Sequence, residues 1–143
     1  MTLIHATGIW LDGKGVLLRG PSGSGKSELA LRLMGLGAEL VGDDYVEVSR
    51  AQGGLVIMKA PPNISGLIEV RHVGILAVPF RPMAEVDLVL DLVSRRKVAQ
   101  LDRLPEQKTT LIEAVAVPCL DFDALAAAAP EKLRAALKIL SQT

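Results

Sequence analysis

Apolar residues occur along the first half of the chain in short runs that glycines and polar turns separate. The runs at 3–11 and 16–19 predict two strands joined by a hairpin-type turn at 12–15, because an Asp-Gly pair between apolar runs is typical of β-hairpins. The second run is fully apolar for three residues, as expected of a buried central strand. Apolar residues at helical spacing in 27–34 then predict an amphipathic helix that nearby glycines end.

Strands and one further helix are predicted in the rest of the chain. The strands are placed at 38–41, 46–48, 55–58, 74–78, 86–93 and 111–117. Ser65 is expected to cap a short helical turn, and Asp121 or Asp123 to cap a C-terminal helix that is broken or restarted at Pro130 and ends at Leu140. Aromatic residues are only 3% of the chain, so Leu, Val, Ile and Ala must form the core, which favours an α/β layer fold.

The length and charge of the chain exclude several classes of protein. A chain of 143 residues is typical of one domain, so we expect a single domain over 1–143. Sixteen basic residues balance sixteen acidic ones, whereas a nucleic-acid binder needs an excess of positive charge. The single cysteine excludes an internal disulfide, and no Cys/His cluster indicates zinc. Without a signal-peptide pattern or an apolar run of about 20 residues, we expect a cytoplasmic protein that does not enter membranes.

A glycine-rich segment lies between the second predicted strand and the first predicted helix. Its residues are Gly20, Pro21, Ser22, Gly23, Ser24, Gly25, Lys26 and Ser27. They match the phosphate-binding pattern G-x-x-x-x-G-K-[ST] at every required position, and a helix N-terminus there directs N–H groups at an anion. Lys26 would neutralise the β- and γ-phosphates, and Ser27 would ligate Mg²⁺, which prefers oxygen. The segment therefore predicts binding of a nucleoside triphosphate with Mg²⁺.

Asp43 and Asp44 end the strand that follows this helix, where ligands gather in α/β sheets. Adjacent residues of a strand point to opposite faces, so one acid would be a general base while the other orients metal or water. The alternative is an Asp-rich turn that closes the strand. A hydrolase, a small-molecule kinase and a protein kinase can share the glycine-rich loop, so these residues alone leave the reaction open.

Three further groups of charged residues are ambiguous when taken alone. Glu69 and Arg71 could hold metal and phosphate or form a surface ion pair. His5 lies in an apolar segment, where a single histidine is more often structural. The cations at 95–97 and Arg103 are by default a solvated loop, and phosphate recognition is the alternative.

The order and spacing of several motifs resemble the catalytic domain of bacterial HPr kinase/phosphorylase, a family that phosphorylates a serine of the phosphocarrier protein HPr. The matching features are His5 fifteen residues before Gly20, the segments 20–28 and 40–44, the segments 60–64 and 67–75 (similar to A-P-E-x-I and L-L-E-I-R-G-L-G-I), and the Asp-Arg-Leu at 102–104. The resemblance covers residues 5 to about 118. It implies a P-loop kinase domain with a mixed central sheet flanked by helices, ATP and Mg²⁺ as cofactors, HPr as partner, and a homo-oligomer that is expected to be a hexamer.

The resemblance also implies roles for individual residues. Lys26 would contact phosphate, Ser27 and Glu69 would hold Mg²⁺, and Arg71 would lie beside Glu69 on the phosphate. One of Asp43 and Asp44 would accept the proton of the target serine. Arg103 would stabilise the transferring charge or help to hold the protein substrate, and His5 would be an active-site residue.

Two departures from the family pattern matter. The sequence begins just before the histidine, so we expect a form without the usual N-terminal domain of the family, which resembles the truncated alphaproteobacterial form. The late motif P-V-R-P-G-R-N is replaced at 118–124 by a sequence without arginine, so we expect the reverse phosphorylase activity to be weak or absent. The alternatives are a small-molecule P-loop kinase and a non-catalytic, ATP-gated regulatory module.

Overall fold

The structure is a computed structural model that describes residues 1–142. Its helices are α1 (Lys26–Met34) and α2 (Ala129–Ser141). Its strands are β1 (Thr2–His5), β2 (Thr7–Leu11), β3 (Lys14–Arg19), β4 (Glu39–Gly42), β5 (Tyr45–Arg50), β6 (Val56–Lys59), β7 (Leu67–Val70), β8 (Gly74–Ala77), β9 (Ala84–Glu85), β10 (Leu88–Leu92), β11 (Lys108–Ile112) and β12 (Val115–Phe122). In the described part of the chain, no helix is both long and apolar enough to cross a membrane.

A six-stranded mixed sheet in the order β11-β12-β10-β3-β2-β4 forms the centre of the fold. β10 runs parallel to both β3 and β12, and the remaining neighbours are antiparallel. A smaller antiparallel sheet has the order β1-β5-β6-β9, and β7 and β8 form a separate hairpin. This arrangement confirms the α/β fold with a mixed central sheet.

The two faces of the large sheet are covered by different layers. Val16 and Leu18 of β3 pack in one apolar cluster with leucines of both helices. Leu17, between them, packs in a second cluster with residues of the small sheet. Because both faces of β3 are buried, its sequence is continuously apolar, as predicted for a central strand. Both helices therefore lie on one side of the large sheet, and the small sheet covers the other side.

The predicted strand at 3–11 is wrong in one respect, because it consists of two strands in different sheets. β1 pairs with β5 in the small sheet, and β2 pairs with β3 and β4 in the large sheet. Ala6 joins them and is completely buried, so the apolar run continues through the crossing. The hydrophobic pattern therefore contains no signal of the break.

Two predictions near the C-terminus are also wrong. The segment 111–117 is part of a hairpin whose turn, at Glu113 and Ala114, has two non-glycine residues with positive φ of 50° and 62°. Asp121 lies inside β12, and Asp123 accepts a hydrogen bond from the Leu125 backbone N–H across 3.0 Å. Neither aspartate caps α2, which begins at Ala129 with proline in its first turn. Neither Glu113 nor Ala114 is a residue type that turns favour, so the sequence does not indicate the turn between β11 and β12.

The expected helical turn after Ser65 is absent. A short 3₁₀ turn instead precedes this residue, at Pro62–Ile64, and the Ser65 hydroxyl donates to the Pro61 carbonyl across 3.4 Å. The following residues continue directly into β7, which places Glu69 on an extended segment. The strands predicted at 46–48, 55–58 and 74–78 are confirmed as β5, β6 and β8.

Candidate active site

The glycine-rich segment connects β3 directly to α1, as its pattern predicts. Gly25 precedes the helix with a positive φ of 97°, a conformation that favours glycine. A Cβ atom at Gly20 would lie 2.6 Å from Ser24 Oγ and 2.9 Å from the Leu92 carbonyl oxygen, so only glycine fits there. The loop is thus closed tightly over the end of the sheet, with the first turn of α1 as one wall.

Two polar side chains of this loop are suited to bind an anion. Lys26 Nζ donates to the carbonyl oxygens of Gly20 and Pro21, at 2.7 and 3.2 Å. Burial lowers the pKa of Lys26, although the charges of Asp44 and Asp43 act in the opposite direction. Ser24 Oγ is buried and has no hydrogen-bond partner among residues 1–142. A buried hydroxyl without a partner and a partly desolvated ammonium group both fit a phosphate ligand.

Asp43 is buried, with 5% exposure, and both of its carboxylate oxygens accept hydrogen bonds. Oδ1 accepts from Ser27 Oγ at 2.6 Å and from Thr7 Oγ1 at 3.0 Å. Oδ2 accepts from the Glu69 backbone N–H at 3.1 Å. All three donors are neutral, so the carboxylate is held in place without losing its net charge.

Asp44 differs from its neighbour in exposure and in backbone conformation. Its side chain is 59% exposed, and its φ of 69° lies in the left-handed region. His5 Nε2 lies 2.9 Å from Asp44 Oδ1, and the His5 ring stacks at a tilt on Tyr45 with centroids 5.2 Å apart. His5 is therefore not an isolated structural histidine, because it belongs to a polar pair at the surface of the site.

A cavity of about 420 Å³ lies between the glycine-rich loop and the β7–β8 hairpin. Its lining brings together most of the residues singled out from the sequence: His5, Lys26, Ser27, Asp44, Glu69 and Arg71. A lining that combines carboxylate and hydroxyl oxygens with cationic groups suits a divalent cation bound to a phosphate chain.

The structure does not bring every predicted residue to this cavity. Arg103 is exposed in the segment between Gln100 and β11, and it does not line the cavity. The cations at 95–97 lie on an exposed 3₁₀ turn. Neither Arg103 nor the cations at 95–97 line the cavity beside the glycine-rich loop.

Two residues of the site were not singled out from the sequence. Thr7 is completely buried and contacts Asp43, and His72 lines the cavity with a positive φ of 68°. A hydroxyl inside an apolar run, two residues after His5, was the available signal for Thr7. The contact between Thr7 and Asp43 depends on the register between β2 and β4, which the sequence does not provide.

A second polar cluster lies across β3, β10 and β12, on the face toward the small sheet. Arg19 donates to both oxygens of Asp91, at 2.8 and 3.0 Å, and Cys119 Sγ lies 3.0 Å from Asp91 Oδ2. Burial, together with the neighbouring Asp91 carboxylate, raises the pKa of Cys119 to about 11. The thiol is thus protonated at neutral pH, and the cluster has no reactive group.

Comparison with known proteins places the chain among related sequences and structures. Residues 1–128 match the family described as HPr serine kinase C-terminal domain. The chain is 38% identical over 118 residues to an HPr kinase/phosphorylase of Bordetella petrii. The aligned region covers 76% of this chain and 38% of that protein. It is 38% identical over 114 residues to an HPr kinase/phosphorylase of Lactobacillus acidophilus, with 75% of this chain and 35% of that protein covered.

The chain thus spans just over a third of the length of these curated relatives. Its fold is similar to the structure of the Hpr(Ser) kinase/phosphatase from Coxiella burnetii, with a TM-score of 0.85 and 28% sequence identity. That similarity covers 97% of this chain and 90% of the other. The match over 1–128 and the agreement of the folds show that the chain belongs to the HPr serine kinase C-terminal domain family.

Proposed function

We propose that this chain transfers the γ-phosphoryl group of ATP to a serine hydroxyl of the phosphocarrier protein HPr in the cytoplasm. The observation that carries the proposal is the exposed Asp44–His5 pair, which lies on the same cavity as Lys26 and Ser27 of the glycine-rich loop. A phosphate-binding loop and an accessible carboxylate are the two parts that phosphoryl transfer to a hydroxyl requires. Membership of the family supports this reaction over hydrolysis or simple binding.

The side chains around the loop fit ATP and Mg²⁺. Lys26 and Ser24 would bind phosphate oxygens, and the hydroxyl of Ser27 would hold Mg²⁺ together with the carboxylate of Glu69. Asp43 would orient Ser27, because its Oδ1 already accepts the Ser27 proton and leaves the oxygen lone pairs of that hydroxyl for the cation. When bound, Mg²⁺ supplies charge stabilisation on the phosphate oxygens.

The proposal assigns the role of general base to Asp44 and not to Asp43. Each oxygen of Asp43 accepts a hydrogen bond and the side chain is buried, so Asp43 cannot reach a substrate hydroxyl. Asp44 has one oxygen directed at His5, and within residues 1–142 its Oδ2 has no hydrogen-bond donor. Asp44 Oδ2 would accept the serine proton while His5 fixes the orientation of the carboxylate.

The two arginines have different places in the proposed reaction. Arg71 lines the cavity beside Glu69 and would stabilise charge on the transferring phosphoryl group. Arg103 lies outside the cavity, which supports the second of its two expected roles, a contact with the protein substrate. Substitution of Arg103 should therefore raise KM for HPr with little change in KM for ATP.

The proposed function is tested by incubating the protein with γ-labelled ATP, Mg²⁺ and purified HPr, then separating the products on a gel. The matched control is HPr in which the target serine is replaced by alanine. Label on HPr, and none on the alanine variant, supports the proposal. Label on a small molecule would support a metabolite kinase, and nucleotide binding without transfer would support a regulatory module.

The reverse reaction is predicted to be weak or absent. Phosphorolysis brings inorganic phosphate, a second anion, beside phosphoserine, and extra cationic donors must offset their repulsion. Leu120 and Asp123 stand where the family motif has arginines, and Asp123 is bonded to a local backbone N–H. Serine-phosphorylated HPr, incubated with Mg²⁺ and millimolar phosphate, should transfer its phosphoryl group to that phosphate, forming pyrophosphate, far more slowly than the forward rate. A comparable rate would show that other residues bind the second anion.

The proposal includes self-assembly, with the hexamer expected from the family resemblance. Every residue of β8 is exposed, and the hairpin presents Val73 and Ile75 at the surface. Contiguous exposed apolar residues of this kind are typical of protein contacts. Light scattering of the purified chain measures the assembly directly, and a monomer at all concentrations would contradict it.

A further inference from the structure

The chain passes between the two sheets at three points, and the first two of these crossings touch. The first crossing, at Ala6, joins β1 to β2, and the second, at 43–44, joins β4 to β5. His5 pairs with Tyr45 on one side of this junction, and Gly8 pairs with Gly42 on the other. The Ala6 N–H also donates to the Asp44 carbonyl across 3.0 Å. The two acids of the site are therefore held at the junction of the sheets.

We propose that Thr7 is a positioning residue that holds Asp43 and Asp44 in their separate roles. The inference rests on the proposed function, because it concerns the metal-orienting acid and the base of that reaction. The hydroxyl of Thr7 donates to Asp43 Oδ1 at 3.0 Å, and its oxygen accepts from the Asp44 backbone N–H across 3.4 Å. One side chain thus contacts the carboxylate of the first acid and the backbone of the second.

The effect of Thr7 on Asp43 follows from the hydrogen bonds that remain without it. Oδ1 would keep only the Ser27 hydroxyl, so the carboxylate would be free to turn about its remaining contacts. Ser27 would then present its oxygen to Mg²⁺ in a less defined direction. Loss of Thr7 should consequently weaken the binding of metal-loaded nucleotide more than the binding of nucleotide alone.

The effect on Asp44 concerns the backbone. Its φ of 69° is unfavourable for a residue other than glycine and needs support from its surroundings. The hydroxyl of Thr7 and the N–H of Ala6 supply contacts to the N–H and the carbonyl of Asp44. Without the hydroxyl, the Asp44 carboxylate should occupy its position opposite His5 less often, and this should lower kcat.

The shape of Thr7 allows its hydroxyl to be tested apart from its packing. Thr7 is completely buried, and valine has nearly the same volume but no hydroxyl. Thr7→Val therefore removes the hydrogen bonds and keeps the packing, whereas Thr7→Ser keeps the hydroxyl and removes a methyl group. Ile9→Val, in the same strand and also completely buried, is the control for loss of packing without contact to either acid.

The test measures four quantities for the full chain and each variant: kcat for HPr phosphorylation, the Mg²⁺ concentration for half-maximal rate, calorimetric binding of ADP with and without Mg²⁺, and the melting temperature. For Thr7→Val we expect kcat to fall about tenfold, the size of one lost hydrogen bond to a charged group. Its affinity for ADP with Mg²⁺ should fall severalfold, while its affinity for ADP without Mg²⁺ stays within about twofold.

Thr7→Ser should behave as the wild type in kcat and Mg²⁺ dependence although its melting temperature falls, and Ile9→Val should do the same. Thr7→Ala, which also lacks the hydroxyl, is measured beside Thr7→Val so that the result does not depend on one side chain. Equal losses in Thr7→Ser and Thr7→Val, or a Thr7→Val variant that resembles Ile9→Val, would overturn the inference. If the wild type phosphorylates no HPr, the proposed function fails, while the binding of ADP with and without Mg²⁺ still decides the role of Thr7.

Discussion

Asp43 and Asp91 lie at the ends of two strands of the large sheet, and each accepts three hydrogen bonds, but from different donors. Asp43 is bonded to two hydroxyl groups and one backbone N–H, all of which are neutral. Asp91 is bonded to both arms of the Arg19 guanidinium and to the Cys119 thiol. Among residues 1–142, no cationic side chain forms an ion pair with the first carboxylate, whereas the second is paired with Arg19 inside the protein.

This difference separates a binding site from a structural one more clearly than burial does. Arg19 also donates to the Thr110 hydroxyl, so the Asp91 cluster connects four neighbouring strands. A carboxylate that is already neutralised has little affinity for a metal ion, whereas one held by dipoles attracts it. Substitutions in the two regions should thus affect different properties, the reaction at one and the stability of the fold at the other.

The largest effect is expected at the acid beside Asp43. Asp44→Asn should lower kcat for HPr phosphorylation by about 10²–10⁴-fold, the usual contribution of a positioned general base. The melting temperature should change little, because the side chain is exposed and the amide can still contact His5. Single-turnover transfer of labelled phosphate measures the effect. A variant with more than a tenth of the wild-type rate would show that Asp44 only closes the strand.

A loss of stability is expected at the structural carboxylate. Asp91→Asn leaves the partly buried Arg19 without its partner, and it should lower the free energy of unfolding by about 1–3 kcal/mol. This loss of stability is smaller than that expected for a fully buried ion pair, because the side chains of Arg19 and Asp91 are 27% and 35% exposed. Urea unfolding measures the loss. The double variant Arg19→Met/Asp91→Leu should recover part of it, and a larger loss than in Asp91→Asn would contradict the interpretation.

The same carboxylate should contribute to the acid sensitivity of the fold. Burial alone would raise the pKa of Asp91, but the hydrogen bonds from Arg19 and Cys119 and the charge of Arg19 outweigh it, so the pKa lies below its usual value. The stabilisation is therefore complete above the pKa of an unfolded aspartate, about 4, and is lost as the pH falls through the lower folded value. The difference in unfolding free energy between wild type and Asp91→Asn should shrink between pH 5 and pH 2. A constant difference would show that the ion pair is not its source.

A smaller effect is expected at the edge of the proposed metal site. Glu69→Gln should raise the Mg²⁺ concentration for half-maximal rate by roughly fivefold, because one anionic oxygen is lost while the Glu69 N–H bond to Asp43 is kept. Glu85→Gln, at the exposed residue of β9 and outside the lining of the cavity beside the glycine-rich loop, is the matched control. Identical Mg²⁺ titrations for the wild type and Glu69→Gln would place Glu69 among ordinary surface residues.

Local patterns predicted the glycine-rich loop and its helix, because both depend on residues adjacent in the sequence. Gly25 before the helix and Lys26 within its first turn need no partner from elsewhere in the chain. The role of Thr7 could not be predicted in this way, since it depends on contact with residues 36 and 37 positions away. Which of Asp43 and Asp44 is accessible was undetermined for the same reason.

Errors in the predicted fold arose where burial and turn chemistry gave no signal. Ala6 is buried at a crossing between sheets, so alternation could not mark the end of the first strand. Glu113 and Ala114 turn the chain without glycine, proline or asparagine. Asp121 is a typical capping residue, but Lys108 on the neighbouring strand binds it inside the sheet. At Ala6 and Asp121, a long-range contact outweighed the local preference.

The contact between the crossings at Ala6 and at 43–44 has a consequence for which activity is lost first when the protein opens locally. The glycine-rich loop lies between β3 and α1 and closes against Leu92 of β10, so it depends on the large sheet and not on the small one. The pair of His5 and Asp44 needs both sheets in place, because the residues on either side of each crossing are fixed by different sheets. Local opening of the small sheet would separate this pair and leave the loop intact. A chain opened in that way would bind nucleotide but transfer nothing, so phosphoryl transfer should disappear on heating before nucleotide binding does.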